Sequence, residues 1–294
     1  MEQEKLYEAG CAALEKSDFS QAKELLLQAY QAKKTFKVNY LLFTALKELR
    51  DHQMASLLAE DYLLDYLRDD QKLTEYVTEM IYAGKVRKIE MTLNLMSGFM
   101  SAKEKDNFMR LFDQTLATVR TQTDVNTLTK KLKHLGALDI LEQRQVFEAS
   151  GSLTIAEFVE SVSADLVDED VHPLVRAAIL DELRYLGSEK TVTYLLFTGE
   201  KQDFVPGDLK ELDDYMMYQR LVALLEADLE YAADQKTQIL AELKLKLQLL
   251  YPKLTAPFTD PEKLYTVLLG KSNLEAQERE FAQALESSLA QWMV

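Results

Sequence analysis

Residues 3–32 read QEKLYEAGCAALEKSDFSQAKELLLQAYQA, and their spacing sets the fold. Leu6, Ala9, Gly10 and Ala13 recur at the three-and-four spacing that gathers one stripe of an α-helix. SDFSQA (17–22) is turn chemistry, and Ala22, Leu25, Leu26 and Ala29 form the facing stripe of a second helix. Small residues at the contact positions let two antiparallel helices approach to near the lower end of the usual ~8–10 Å interaxial range. Neither helix can bury its stripe without another pair stacked on it, so further repeats are expected.

A shift of 33 residues carries Ala22, Leu25 and Ala29 onto Ala55, Leu58 and Tyr62, with RDHQMA (50–55) as the turn and Leu42, Phe43 and Leu46 on the preceding helix. A further shift of 34 reaches Tyr76, Val77 and Met80, then AGKV (83–86), then Ile89, Leu93 and Met96. The first thirty residues resemble the tetratricopeptide repeat: Gly10 stands at a close-approach position, Phe19 at the turn aromatic, Ala22 and Ala29 at small positions of the second helix. The proline that usually closes such a repeat is missing, with Lys34 in its place. The fold expected is an all-α superhelix, a solenoid of tetratricopeptide type, with three hairpins over residues 3–98.

Beyond residue 100 the helical pattern continues while the repeat signature fades. Phe108, Leu111, Phe112 and Leu116 make one stripe and Val125, Leu128, Leu132 and Leu135 another, with Gly136 expected as a C-cap. An apolar run at 141–147, the turn EASGS and a helix from about Leu153 lead to the acidic turn DLVDED (165–170). HPLVRAAILDELRYLG (172–187) resembles the first helix of a HEAT-type repeat, with Pro173 setting its first turn and Val175, Ile179, Leu183 and Leu186 on one face. The β-branched and aromatic run 191–197, the turn TGEK and residues 203–205 ahead of Pro206 predict one short β-hairpin near 191–205, serving as a lid or as a docking edge. Helices then return over 213–232, 234–250, 260–269 and 273–292, with YPKLTAPFTDP (251–261) as a linker and Leu285, Leu289 and Trp292 on the inner face of a terminal cap. The expected division is 1–100 for the tetratricopeptide-like hairpins, 101–190 for degenerate helical repeats, 191–210 for the β-hairpin and 211–294 for the C-terminal helices. The layout as a whole is similar to repeat proteins of Gram-positive bacteria, a likeness that carries no activity with it.

The formal charge is −15, and residues 151–294 carry 26 acidic against 13 basic side chains where residues 1–150 are nearly balanced. Such a balance argues against nucleic acid or an anionic bilayer as ligand, since both reward clustered Lys and Arg. The charged start MEQEK lacks a leader pattern and no window reaches the ~18 apolar residues of a membrane span, so a cytoplasmic protein is expected. The single cysteine, Cys11, agrees with a reducing compartment.

Chemistry-bearing motifs are absent. No two glycines lie closer than Gly199 and Gly207, which excludes G-x-G-x-x-G and Walker-type loops. His52, His134 and His172 are too far apart for an H-E-x-x-H helix, and no G-x-S-x-G occurs. No cofactor and no metal site is expected, and the protein is read as not an enzyme. Cys11 reads as a packing residue, His52 as a solvated turn residue, and Lys130, Lys131, Lys133 and His134 as a basic helix face. Asp165, Asp168, Glu169 and Asp170 read as a helix-ending acidic turn, and Tyr215, Met216 and Tyr218 as core.

The tetratricopeptide resemblance implies recognition of a protein or peptide on the surface lined by the first helix of each pair. Its best-known subgroup grips a C-terminal carboxylate through lysines, asparagines and an arginine there. The matching positions are Tyr7 and Cys11, Leu41, and Gln71 and Glu75, so that clamp is missing. With Tyr40 and Tyr76 nearby, the surface is expected to be apolar and aromatic and to take a partner offering hydrophobic side chains. The reading is a non-catalytic adaptor or scaffold. Alternatives are a self-assembling structural or regulatory protein, in which the acidic half of one chain docks the neutral half of another as a homodimer, and an enzyme with a dispersed acidic site.

Overall fold

The computed structural model describes residues 2–121, 124–256, 258–271 and 274–293. Among these are sixteen α-helices and one two-stranded antiparallel sheet, and no helix is long and apolar enough to cross a membrane. The chain divides into two compact units, Met1–Val125 with Gly151–Thr154, and Asn126–Ser150 with Ile155–Val294.

The first unit holds α1 (Glu2–Glu15), α2 (Phe19–Ala32), α3 (Phe36–Glu48), α4 (His52–Glu60), α5 (Leu63–Leu67), α6 (Asp70–Tyr82), α7 (Val86–Met96) and α8 (Ala102–Arg120). Neighbours along the chain pack on one another: α1 on α2, α2 on α3, α3 on α4, α4 on α6, and α6 on both α7 and α8. The close approach read at Gly10 is present, for a Cβ added there would stand 2.7 Å from Cγ of the fully buried Leu26. Ala22, Ala29, Ala55 and Ala59 are fully buried. Ala9, by contrast, faces solvent, so the stripe of α1 runs through Gly10 and Ala13 without it.

The turns repeat atom for atom. Ser17 N–H donates to Leu14 O and Asp18 N–H to Ala13 O; Arg50 donates to Lys47 and Asp51 to Leu46; Gly84 donates to Ile81 and Lys85 to Met80. These are Schellman pairs, each closed by a left-handed residue, with φ of 59° at Ser17, 58° at Arg50 and 70° at Gly84. They fall 33 and then 34 residues apart. Asp18 and Asp51 then cap the next helix, accepting from Gln21 N–H and Met54 N–H. At Lys85 that cap is missing.

The 33-residue register fails at one place. Tyr62 lies beyond the end of α4, and the extra short helix α5 follows, carrying the fully buried Tyr66. Asp61 holds the break open by accepting from the Tyr30 hydroxyl at 2.7 Å and from Lys34 Nζ at 3.0 Å. Tyr66 packs at 5.3 Å against the Phe36 ring and 5.1 Å against Phe43, and its hydroxyl donates to Asn39 Oδ1 at 2.8 Å. Asn39 Nδ2 donates in turn to Leu58 O and the Tyr30 hydroxyl, which satisfies a wholly buried amide.

The second unit contains α9 (Val125–Leu132, all but its first residue), α10 (Ile140–Ala149), α11 (Ile155–Ser161), α12 (Pro173–Tyr185), β1 (Val192–Leu195), β2 (Lys201–Phe204), α13 (Met216–Ala227), α14 (Ala233–Leu250), α15 (Pro261–Leu268) and α16 (Ala276–Trp292). The hairpin pairs Val192 with Phe204 through Leu195 with Lys201, and β1 rests on the 3-10 turn Asp165–Val167. Around α14 pack α12, α13 and α16, while α15 contacts α13 and α16. Leu285 and Leu289 are buried and Trp292 half-buried.

Several local expectations are corrected here. Gly136 sits in the 3-10 turn Leu135–Ala137 rather than as a left-handed cap; a Cβ there would run into the Asp168 carboxylate. The helix expected over 213–232 is shorter, because 212–214 form a 3-10 turn and α13 ends at Ala227. Met216 is 73% exposed while its neighbour Met217 is buried, so the tyrosine–methionine cluster is core only in part. The segment from Tyr251 is no loose linker: Tyr251 and Leu254 are buried, and the Tyr251 hydroxyl donates to Lys210 O. Asn273, the expected start of the last helix, lies outside the described residues.

Candidate functional site

The candidate positions occupy the first helices α1, α3 and α6, and the structure sorts them into two groups. Tyr7 and Cys11 lie on α1 facing Lys37 of α3, whose Nζ is 4.3 Å from the Tyr7 ring centroid. The Tyr7 hydroxyl holds the Lys37 ammonium above its ordinary range. Cys11 is a half-buried free thiol.

The second group joins α3 to α6. The Tyr40 hydroxyl donates to Glu75 Oε2 at 2.9 Å, Lys47 Nζ binds Glu75 Oε1 at 3.2 Å, and Gln71 Nε2 reaches the same oxygen at 3.4 Å. Lys72 Nζ lies 5.1 Å over the Tyr40 ring. Burial first, then the bond to Glu75, pushes the Tyr40 hydroxyl up to about 12, so it stays a donor at physiological pH. Leu41 is half-buried beside these groups.

This surface differs from the expected apolar one. Tyr76 is 1% exposed and belongs to the core, and lysines cover the faces of Tyr7 and Tyr40. A lysine laid over an aromatic ring keeps its charge in water while shielding the ring, a pairing that period and apolar spacing do not reveal.

His52 is likewise no solvated residue. It opens α4, its Nδ1 lies 2.6 Å from Oε2 of the buried Glu79, and its ring stacks on Tyr82 at 4.9 Å. The basic face at 130–134 is partly neutralised by ion pairs from Lys133 to Glu160 and Lys131 to Glu142. In the acidic turn Asp165 is 1% exposed, and burial pushes its carboxyl up to about 7 although Leu135 N–H donates to it. Among the described residues no group of His, Cys, Asp and Glu gathers as a metal site.

The second unit also contains a cleft of about 560 Å³ that sequence reading missed. Its walls come from α10, α12, α14 and the end of α16. Arg144 lies 4.3 Å over the Trp292 ring and donates to Trp292 O at 3.1 Å, across 148 residues of sequence. Arg184 Nε donates to Asp181 at 2.6 Å and Lys244 pairs with Asp213 at 2.9 Å. The only sequence signal was the lone tryptophan. Comparison of the chain with family models, with curated proteins and with solved structures returns no match.

Proposed function

We propose that the chain is a helical-repeat adaptor of tetratricopeptide type that binds a protein or peptide on the face of α1, α3 and α6, without catalysis of its own. The observation that carries this reading is the recurrence of the same Schellman turn at Ser17, Arg50 and Gly84, because like turns at nearly equal spacing are what a stack of similar helix pairs requires. Side-chain links between α1 and α3 and between α3 and α6 agree with it. The half-buried Leu41 and the edges of Tyr7 and Tyr40 offer apolar contact, and Lys37 offers a charge to a partner carboxylate or carbonyl. In support of a non-catalytic role, the carboxylates Asp181, Glu211 and Asp213 in the cleft of the second unit are engaged by cations rather than by each other. The free cysteine and the absence of a spanning helix among the described residues favour a cytoplasmic setting.

The test is affinity purification of the full chain from its native cell, identification of the partner by mass spectrometry, and calorimetric titration of that partner. Lys37→Glu with Leu41→Asp is expected to weaken binding by about 1.4 kcal/mol or more, tenfold in Kd. Lys201→Ala on the hairpin of the second unit serves as the control. Equal affinities for all three chains, with circular dichroism showing each folded, would end the proposal.

A further inference from the structure

The cleft of the second unit has an apolar lining that includes Phe147, Leu174, Leu245 and Trp292, and its size lies within the ~300–1,000 Å³ usual for small-ligand sites. Its polar walls are unequal in charge. Five carboxylates, on Glu148, Asp181, Glu182, Glu211 and Asp213, face three cations, on Arg144, Arg184 and Lys244.

Two of the three cations are held in ion pairs, Arg184 with Asp181 and Glu211 and Lys244 with Asp213. Arg144 lies over the Trp292 ring and donates to its carbonyl, without an ion pair among the described residues. An anion entering the cleft would find Arg144 alone without a carboxylate and would meet an excess of negative side chains around it. Glu148 stands one helical turn from Arg144 on α10 and forms no ion pair among the described residues. A cation therefore finds an acceptor waiting, with aromatic and aliphatic walls for the rest of the molecule.

We propose that this cleft is a binding site for a small organic amine with an apolar body, the ammonium group held at Glu148 and the body against Phe147 and Trp292. The site is built wholly from the second unit, whereas the face of α1, α3 and α6 belongs to the first.

Trp292 is the only tryptophan of the chain and lines the cleft, so its emission reports occupancy without a label. Phenethylamine and hydrocinnamate, which share a ring and chain length and differ in the sign of charge, are titrated into the full chain with excitation at the red edge of the tryptophan band. The amine is expected to change Trp292 emission saturably, with Kd on the order of a millimolar for so small a probe. The carboxylate should bind at least about tenfold more weakly, and added salt should weaken the amine. Glu148→Gln, at an exposed position where folding is not at stake, should weaken the amine by about three- to tenfold and leave the carboxylate no worse. Equal response to both probes, no saturation with the amine, or amine binding untouched by Glu148→Gln would each overturn the assignment.

Discussion

Gly10 and Leu26 touch where α1 crosses α2, with Leu26 Cγ 2.7 Å from the place a Gly10 Cβ would occupy. Leu26 is fully buried and cannot step aside. In Gly10→Ala the overpacking, worth about 1–3 kcal/mol, opposes a helix-propensity gain of about 1 kcal/mol. The expected result is a net loss of up to about 2 kcal/mol, read as a lower urea midpoint for the first unit. Gly98→Ala is the control, since a Cβ there meets nothing within 4 Å, and it should leave the midpoint unchanged or raise it.

Arg50 closes the second turn at φ 58°, in the left-handed region where the third turn uses Gly84. A side chain in that region costs about 1–2 kcal/mol relative to glycine, offset in part by the greater freedom of glycine in the unfolded chain. Arg50→Gly should therefore raise stability by about 0.5–1 kcal/mol, and Gly84→Ala should lower it by a similar or larger amount. Thermal melts of both variants test this, and a loss of stability in Arg50→Gly or a gain in Gly84→Ala would show that the two turns are not equivalent.

The helix pairs were legible because their signal is local. Gly10, Ala22 and Ala29 report close packing directly, and Asp18 and Asp51 each stand at a turn followed by an apolar stripe. The β-hairpin was legible for the same reason, its β-branched run and turn being contiguous. What was lost depends on partners far along the chain. The break after α4 is held by Tyr30 and Lys34 reaching Asp61, and His52 is fixed by Glu79, 27 residues away. The candidate residues fall on α1, α3 and α6 as their spacing implied, but the surroundings of the rings were misread, since the lysines over Tyr7 and Tyr40 come from the neighbouring helix in each case.

Tyr66 is the residue that the unexpected α5 brings into the core, and its hydroxyl is the donor to Asn39 Oδ1. Tyr66→Phe keeps the ring contacts with Phe36, Phe43 and Tyr76 and removes only that bond, leaving a buried amide oxygen unpaired. The cost should be about 1–3 kcal/mol. Asn39→Ala removes the acceptor and also strands Leu58 O, so it should cost more. A smaller loss for Asn39→Ala than for Tyr66→Phe would contradict this order.

Asp165 and His172 give the second unit two opposed responses to pH. The Asp165 carboxyl titrates near 7 when folded, against an ordinary 3.8, because it is buried and lies near Asp168. The folded state then holds the proton more tightly, so this contribution is complete below about pH 4 and disappears as pH rises to about 7. At 1.36 kcal/mol per unit the full span is of order 4 kcal/mol. His172 is shifted the other way. Burial, with help from Arg176 and Arg144, lowers it below 6.5, while its Nδ1 accepts from Leu174 N–H at the start of α12 and its Nε2 lies 3.1 Å from Ser288 O. Protonation would place a hydrogen on the capping nitrogen, so its contribution is complete above about pH 6.5 and is lost as pH falls. Between pH 4 and 6.5 the two contributions run against each other and partly cancel. Asp165→Asn should stabilise the protein at pH 8 by about 2–4 kcal/mol and lose that advantage at pH 5, leaving the acid sensitivity of His172 exposed. His172→Asn, which retains an N-cap acceptor, should do the reverse and gain stability relative to wild type as pH falls from 7 to 5. Urea midpoints of the three chains from pH 4.5 to 8 check this, and parallel curves would show that neither side chain titrates on unfolding.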